Sequence, residues 1–259
     1  MIRNTSLFLL IPLLAAITVL LPVRPALAED GKAVTITIPP KGWEPFIIAS
    51  PARQGQDGIL LEVFRTAATA VGYQCRIEQN EERSGLLQVR QGRMDAAPKA
   101  QEWVAGPERY SWTDPICQST DVVISRKDKP INYSTPEDLR GHTVGLVEGF
   151  KYPELAELID NKGFTAVRAT TVEDLLLMVM RGKLECAVVN PTVAKWVIRN
   201  RGDITRQDLS FSPKTVDNTP VRFAFTGGGK WTDFIAGFDK ELAAMKKDGR
   251  LAAILNHYQ

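Results

Sequence analysis

Between Gly92 and Ser125 the chain gathers side chains that can grip a small molecule: Lys99, Glu102, Trp103, Glu108 and Arg109, in a loop after Met94-Asp95-Ala96-Ala97. That four-residue run is a short buried-strand signal. Cations beside a large flat ring suit non-covalent capture, by charged hydrogen bonds and by water-excluding contact. They do not suit bond-breaking. The only histidines are His142 and His257, so no Ser-His-Asp or Cys-His order is available. Neither histidine has a cysteine or acidic cluster at ligand spacing, which points away from zinc. A general acid would have to be Glu44, Glu102 or Glu148, and none lies in a catalytic motif. The expectation is a binding protein, not an enzyme, with no cofactor and no metal. Beyond the loop, Trp112-Thr113-Asp114-Pro115-Ile116 leads to the apolar run Val122-Val123-Ile124, which ends in Arg126-Lys127-Asp128-Lys129. This reads as a strand carrying the chain out of one lobe into a second, with the site in the cleft between them.

The elements that must hold such a loop follow from periodicity. Val34 to Ile38 alternates as a strand with one buried face and is stopped by Pro39-Pro40-Lys41-Gly42. Trp43-Glu44-Pro45-Phe46-Ile47 follows as a loop, and Ser50 to Gly58 is polar and turn-rich. Leu60 to Val71 has helical spacing and stops at Gly72; Tyr73 to Ile77 reads as a strand, and Ser84 to Gln91 as a short helix closed by Gly92. A second unit then starts with a capped helical turn at Ser134–Leu139. Strands are expected at Gly141–Val147, Ala166–Ala169 and Leu184–Val189, and helices at Glu154–Asn161, Leu175–Arg181 and Pro191–Asn200. The alternation predicts a parallel, right-handedly wound sheet. Val221–Phe225 reads as a return strand, Trp231–Met245 as a long amphipathic helix and Leu251–Tyr258 as a last short one. This closing segment is expected to pack back on the first lobe, giving two crossings and a hinge near Val122–Ser125 and Asp217–Arg222.

The 259 residues, 44% hydrophobic and 24% charged, allow two lobes with real cores. Residues 1–28 read as a secretory signal peptide: Arg3, the apolar run Leu7–Leu21, and the small-residue site Ala26-Leu27-Ala28 before Glu29. The run is short for a span of roughly 20 residues, so export rather than anchoring is expected. Removing it takes away Arg3 and Arg24 and no acid, so the 32 basic and 30 acidic residues of the full chain become equal in number. No basic stripe suggests nucleic acid. In an oxidising compartment two of Cys75, Cys117 and Cys186 could pair, Cys75 with Cys117 if they share a lobe; three buried thiols is the equal alternative.

Several short motifs in order resemble the bacterial extracellular solute-binding proteins of the polar amino-acid type, family 3, the periplasmic receptors of ABC importers. They are Trp43-Glu44-Pro45-Phe46; Leu86-Leu87 with Val89, Gly92 and Asp95; Trp112-Thr113-Asp114-Pro115-Ile116; Asp138-Leu139-Arg140-Gly141 with Thr143-Val144-Gly145; Gly182-Lys183-Leu184-Glu185-Cys186-Ala187; and Lys247-Asp248-Gly249-Arg250-Leu251. The resemblance spans essentially the whole mature chain. It implies a type II periplasmic-binding-protein fold of class α/β: two lobes, each a mostly parallel sheet flanked by helices. Residues 29–124 would form the first part of lobe I, 125–217 lobe II, and 218–259 the C-terminal return to lobe I.

The same resemblance implies a ligand set drawn from Trp43, Phe46, Lys99, Glu102, Trp103, Arg109, Glu148, Phe150, Lys151 and Asn190. Trp43 keeps the family's stacking aromatic. The arginine that grips an amino acid's carboxylate falls on Gly106 or Pro107, with Arg109 nearby, and the aspartate that pairs with its ammonium falls on Asn190. A carboxylate-binding Ser/Thr pair falls on Phe150-Lys151, and a small polar residue on Lys99. Burying an ammonium without a partner charge is costly, and Asn190 offers a neutral acceptor only. Two lysines and one ring suit a small organic acid; Glu44, Glu102 or Glu148 would restore an amine-bearing ligand. The implied partners are the small solute and, transiently, an inner-membrane permease, with the protein a monomer in the periplasm. The competing roles are a sensory or accessory binding protein, such as the partner of a quinone-cofactor dehydrogenase, and a dehydratase-type enzyme on the same fold.

Overall fold

Strand β1 (Ala33–Ile38) carries Val34, Ile36 and Ile38 into the core, and Thr37 is buried as well, so both faces of the strand are covered. The computed structural model describes residues 32–49 and 57–258. The expected signal peptide and most of the Ser50–Gly58 turn lie outside those residues. Gly42, at φ +67°, closes the turn that stops β1, its N–H on Pro39 O at 3.0 Å. Helix α1 (Ile59–Ala70) follows, and its apolar stripe is fully buried. Phe64 lies at the centre, its ring centroid 4.4 Å from that of Phe223 and 5.3 Å from that of Phe238. Next come β2 (Gln74–Gln79), α2 (Glu82–Arg90), β3 (Ala96–Lys99) and β4 (Tyr110–Trp112).

The expected strand at Met94–Ala97 begins two residues later than its apolar signal. Asp95 explains the shift: its carboxylate accepts the N–H of Thr35 at 2.9 Å, tying the approach to β3 onto β1 before the ladder starts.

The second half runs β5 (Cys117–Arg126), β6 (Thr143–Val147), α3 (Ala156–Asp160), β7 (Thr165–Ala169), α4 (Val172–Met180), β8 (Cys186–Val189) and α5 (Pro191–Asn200). The expected helix at Ser134–Leu139 is a single 3₁₀ turn, Pro136–Leu139, closed by a Thr135–Asp138 capping box. Strand β9 (Leu209–Thr226) then returns, followed by α6 (Thr232–Asp248) and α7 (Arg250–His257). β9 is far longer than the expected Val221–Phe225. From Leu209 to Val221 it pairs with β5, a contact that no local pattern announces.

The strand order is β2-β1-β3-β9-β5-β8-β6-β7, with β4 also on β9. β1 pairs β2 and β3 in parallel, as β6 pairs β7 and β8. The joining strands are antiparallel: β9 to β3, β4 and β5, and β5 to β8. The parallel expectation holds for the winding within each half and fails where the chain crosses and returns.

Two regions of core result. The first gathers β1, α1, the end of β9 and helices α6 and α7 around the Phe64 cluster. The second has apolar side chains on both faces of β5-β8-β6, with Ile124, Leu175 and Ala187 on one and Val123, Leu146 and Val188 on the other. β5 and β9 run through both regions: Ile116, Val221 and Phe223 lie in the first, Ile124 and Leu209 in the second. Helix α5 is also shared, Val193 packing into the first core and Ala194 into the second.

Cys75, Cys117 and Cys186 are all free thiols, and burial pushes the first to about 11 and the other two to about 12. At those values they are inert small hydrophobes. No helix among the described residues is long and apolar enough to cross a membrane.

Candidate functional site

At the carboxyl ends of β1, β2 and β3 a cavity of about 440 Å³ opens, lined by Thr37, Ile38, Pro39, Asn80, Glu81, Gly85, Leu86, Ala97, Pro98, Lys99 and Trp103. In open α/β sheets ligands bind outside the carboxyl ends of the strands, where the backbone ends and helices begin. Gly85 keeps α2 close to β1 here: a Cβ on it would meet Thr37 Oγ1 at 3.1 Å. One wall is a polar chain, with Gln88 Nε2 donating to Asn80 Oδ1 at 3.0 Å and Asn80 Nδ2 donating to Thr37 Oγ1 at 3.1 Å. The floor is apolar, made by Ile38, Leu86, Ala97 and Pro98.

Lys99 is the last residue of β3. Its ammonium stands 5.7 Å from the centre of the Trp103 ring, within cation–π reach. Its register partner on β9 is Arg222, so two cations lie side by side on one face of the sheet. Arg222 Nη1 donates to Thr113 O at 3.0 Å, while its buried Nε has no hydrogen-bond partner among the described residues.

Trp103 ends a 3₁₀ turn, Gln101–Trp103. Trp43 meets it edge-on at 6.0 Å and stacks on Phe46 at 4.3 Å. Thus Trp103 lines the cavity and Trp43 backs it, while Phe46 is a core side chain, 2% exposed. Trp43 is held by paired backbone hydrogen bonds with Ile47, at 2.7 and 2.9 Å. Glu44, on the same loop, accepts from Trp196 Nε1 of α5 at 3.1 Å.

The remaining candidates stand apart from the cavity lining. Glu102 borders a separate depression of about 340 Å³ with Glu108, Tyr110 and Trp112. Arg109 is exposed and lies 3.8 Å from Glu108. Glu148, Phe150 and Lys151 form an exposed loop after β6, with Phe150 half exposed. Asn190 caps α5: Oδ1 accepts from the N–H groups of Thr192 at 2.9 Å and Val193 at 3.3 Å. Its amide nitrogen donates to Ser119 Oγ on β5 at 3.4 Å. Both ends of Asn190 therefore have work in the fold. Asn190→Ala should lower stability by about 1 kcal/mol in a urea titration, the ordinary cost of a lost N-cap; no change would remove the cap from the account.

Sequence reasoning missed Thr37, Asn80 and Gly85. The available signal was positional: Thr37 and Asn80 sit where β1 and β2 end, and Pro39-Pro40 marks the edge beside them.

A family model, the bacterial extracellular solute-binding proteins, family 3, matches residues 36–259. The chain belongs to this family. Solved structures share the two-lobed fold of periplasmic binding proteins. A histidine kinase sensor domain with similarity to periplasmic binding proteins is 22% identical, covering 87% of this chain and 95% of its own, at a TM-score of 0.65. The second substrate-binding domain of Lactococcus lactis GlnP, in an open conformation, is 17% identical over 88% of this chain and 96% of its own, at 0.68. An amino acid ABC transporter substrate-binding protein from Streptococcus pneumoniae, bound to L-arginine, is 17% identical over 87% and 94%, at 0.63. At such identities the likeness carries the fold and not the solute. No curated protein matches the chain.

Proposed function

We propose that this family member is an exported receptor that captures a small organic acid between its two halves and hands it to an inner-membrane ABC permease. The observation that carries the choice of solute is the cavity lined by Lys99 and Trp103, with Arg222 the register partner of Lys99 on the neighbouring strand. Two adjacent cations favour an anion, and charged hydrogen bonds to it are the strong ones. An amino acid's ammonium would need a carboxylate near Asn190, whose acceptor oxygen already caps α5. The Trp103 ring and the apolar floor suit a planar or aliphatic body. Capture by closure then follows from differential affinity: a solute touching both halves stabilises the form in which they meet. Signal cleavage after Ala28 and the monomeric state belong to this reading.

A sensory role is the second reading, supported by the likeness to a histidine kinase sensor domain. It uses the same capture step with a different downstream partner.

The test is a thermal-shift screen of carboxylic acids and amino acids on the mature protein. A true solute at ~100 times its dissociation constant should add about 2.7 kcal/mol of stability. Strong stabilisation by neutral α-amino acids and none by carboxylic acids would overturn the solute assignment.

A further inference from the structure

We propose that Thr37 is the solute's second anchor: at the end of a side-chain relay, its hydroxyl donates to an acceptor oxygen that the solute carries besides its carboxylate. The inference rests on the organic-acid reading and narrows it to acids with two oxygen functions, such as oxo acids and dicarboxylates.

Thr37 lies on β1 one residue beyond Ile36, whose parallel partner on β3 is Ala96. Ile36 and Ala96 point into the first core, so Thr37 points to the other face of the sheet, the face of Ala97 and Lys99. There it lines the cavity while only 3% exposed. A polar group so deeply buried needs its hydrogen bonds made.

The protein makes only the accepting one. Gln88 Nε2 donates to Asn80 Oδ1 at 3.0 Å, which leaves the Asn80 amide to turn an N–H toward Thr37. Asn80 Nδ2 donates to Thr37 Oγ1 at 3.1 Å. A hydroxyl that accepts in this way keeps its own hydrogen to give. Among the described residues no acceptor takes the Thr37 hydrogen. The relay is tied down by its backbone. The N–H of Asn80 donates to Ile38 O at 3.0 Å, and the Gln88 carbonyl accepts from the N–H groups of Arg93 and Met94.

Gly85 of α2 leaves the hydroxyl room. A Cβ there would meet Thr37 Oγ1 at 3.1 Å and Cγ2 at 3.3 Å, filling the space beside it. The backbone at Gly85 has no positive φ, so closeness to Thr37 is what an added methyl group would disturb. Thr37 and Lys99 do different work. Thr37 enters two residues short of Lys99 along the sheet, about 6–7 Å at the rise of a strand, and the Lys99 ammonium lies over Trp103. The cation takes the carboxylate, and the neutral hydroxyl takes the other oxygen. A methylene at that point would leave the Thr37 hydrogen unmatched, a loss of roughly ten- to a hundredfold in affinity.

The experiment is titration calorimetry of the full mature protein with three four-carbon acids: butanoate, 2-oxobutanoate and succinate. The last two add a second oxygen function to the first. The wild type should bind at least one of them roughly tenfold or more tighter than butanoate. Thr37→Val, the same shape without the hydroxyl, should close that gap, and Thr37→Ser should restore it. Gly85→Ala leaves the relay in place and improves helix propensity. It should narrow the gap as well, and it carries the test if Thr37→Val does not fold. A wild type that binds butanoate as tightly as the other two overturns the inference. So does a gap that survives Thr37→Val and Gly85→Ala. Either result leaves the acid reading standing. If none of the three binds while other carboxylic acids in the screen do, this inference falls alone; if no carboxylic acid binds, both fall.

Discussion

Trp103→Ala is expected to weaken solute binding about 100-fold, close to 2.7 kcal/mol, while the protein remains folded. An indole buries about 150–250 Å², and half of that against a bound solute is worth roughly 2–3 kcal/mol at about 25 cal/mol per Å². The same substitution removes the face over which the Lys99 ammonium sits. Trp43→Ala should behave differently. Trp43 stacks on buried Phe46 and only meets Trp103 edge-on, so its loss falls mainly on stability. Lys99→Met separates charge from shape: it should weaken carboxylates at least tenfold and leave neutral compounds unaffected. Titration calorimetry with a solute from the screen measures all three. Affinity unchanged in Trp103→Ala would move the solute out of the cavity under α2, however well the family assignment stands.

How much of this was legible in advance depended on whether the determining contacts were local. The alternation of Val34, Ile36 and Ile38, the stripe of α1 and the Pro191 start of α5 are local facts, and those elements appear within a residue or two of expectation. β9 is the opposite case. No strand was expected immediately before Val221, and Pro213, Asp217, Asn218 and Pro220 give no strand signal, because prolines and short polar side chains are poor strand formers. Pairing along β5 overrides that preference, since both strands must pass between the cores. The reading of the site divides in the same way. Lys99 and Trp103 were visible as chemistry-bearing types in a loop, and both line the cavity. Thr37, Asn80 and Gly85 were not, because their role comes from where β1, β2 and α2 meet in space. Asn190 was legible as a departure from the family's aspartate, but not as a helix cap reaching across to β5. Asp121 of β5 is the register partner of Asp217 on β9, a pairing that required the register of a strand the sequence concealed.

That register has a thermodynamic consequence independent of any motion. Asp121 has a folded-state value of about 7, raised above the ordinary carboxylate range by burial and then by Asp217. A raised acid is neutral in the fold at low pH and costs nothing there. As pH climbs past its unfolded value near 4 and through 7, the unfolded chain gains from ionising and the fold does not. Stability should therefore fall between about pH 4 and pH 7, by at most about 4 kcal/mol, since three units at about 1.36 kcal/mol each is the ceiling; about 2.7 kcal/mol of that lies above pH 5. Asp239, raised by burial, adds a decline of the same sign. Asp138, held low by the N–H groups of Thr135 and Ser134, contributes stability that is lost only as pH falls below about 4, outside this window. The difference between wild type and Asp121→Asn isolates one group from that background. Asn cannot ionise, so in urea titrations the variant should match or fall slightly below wild type at pH 5 and exceed it by 1 kcal/mol or more, roughly, at pH 8. Parallel pH profiles for the two proteins would mean that Asp121 is hydrated in the fold and that the carboxylates at the crossing do not sense each other.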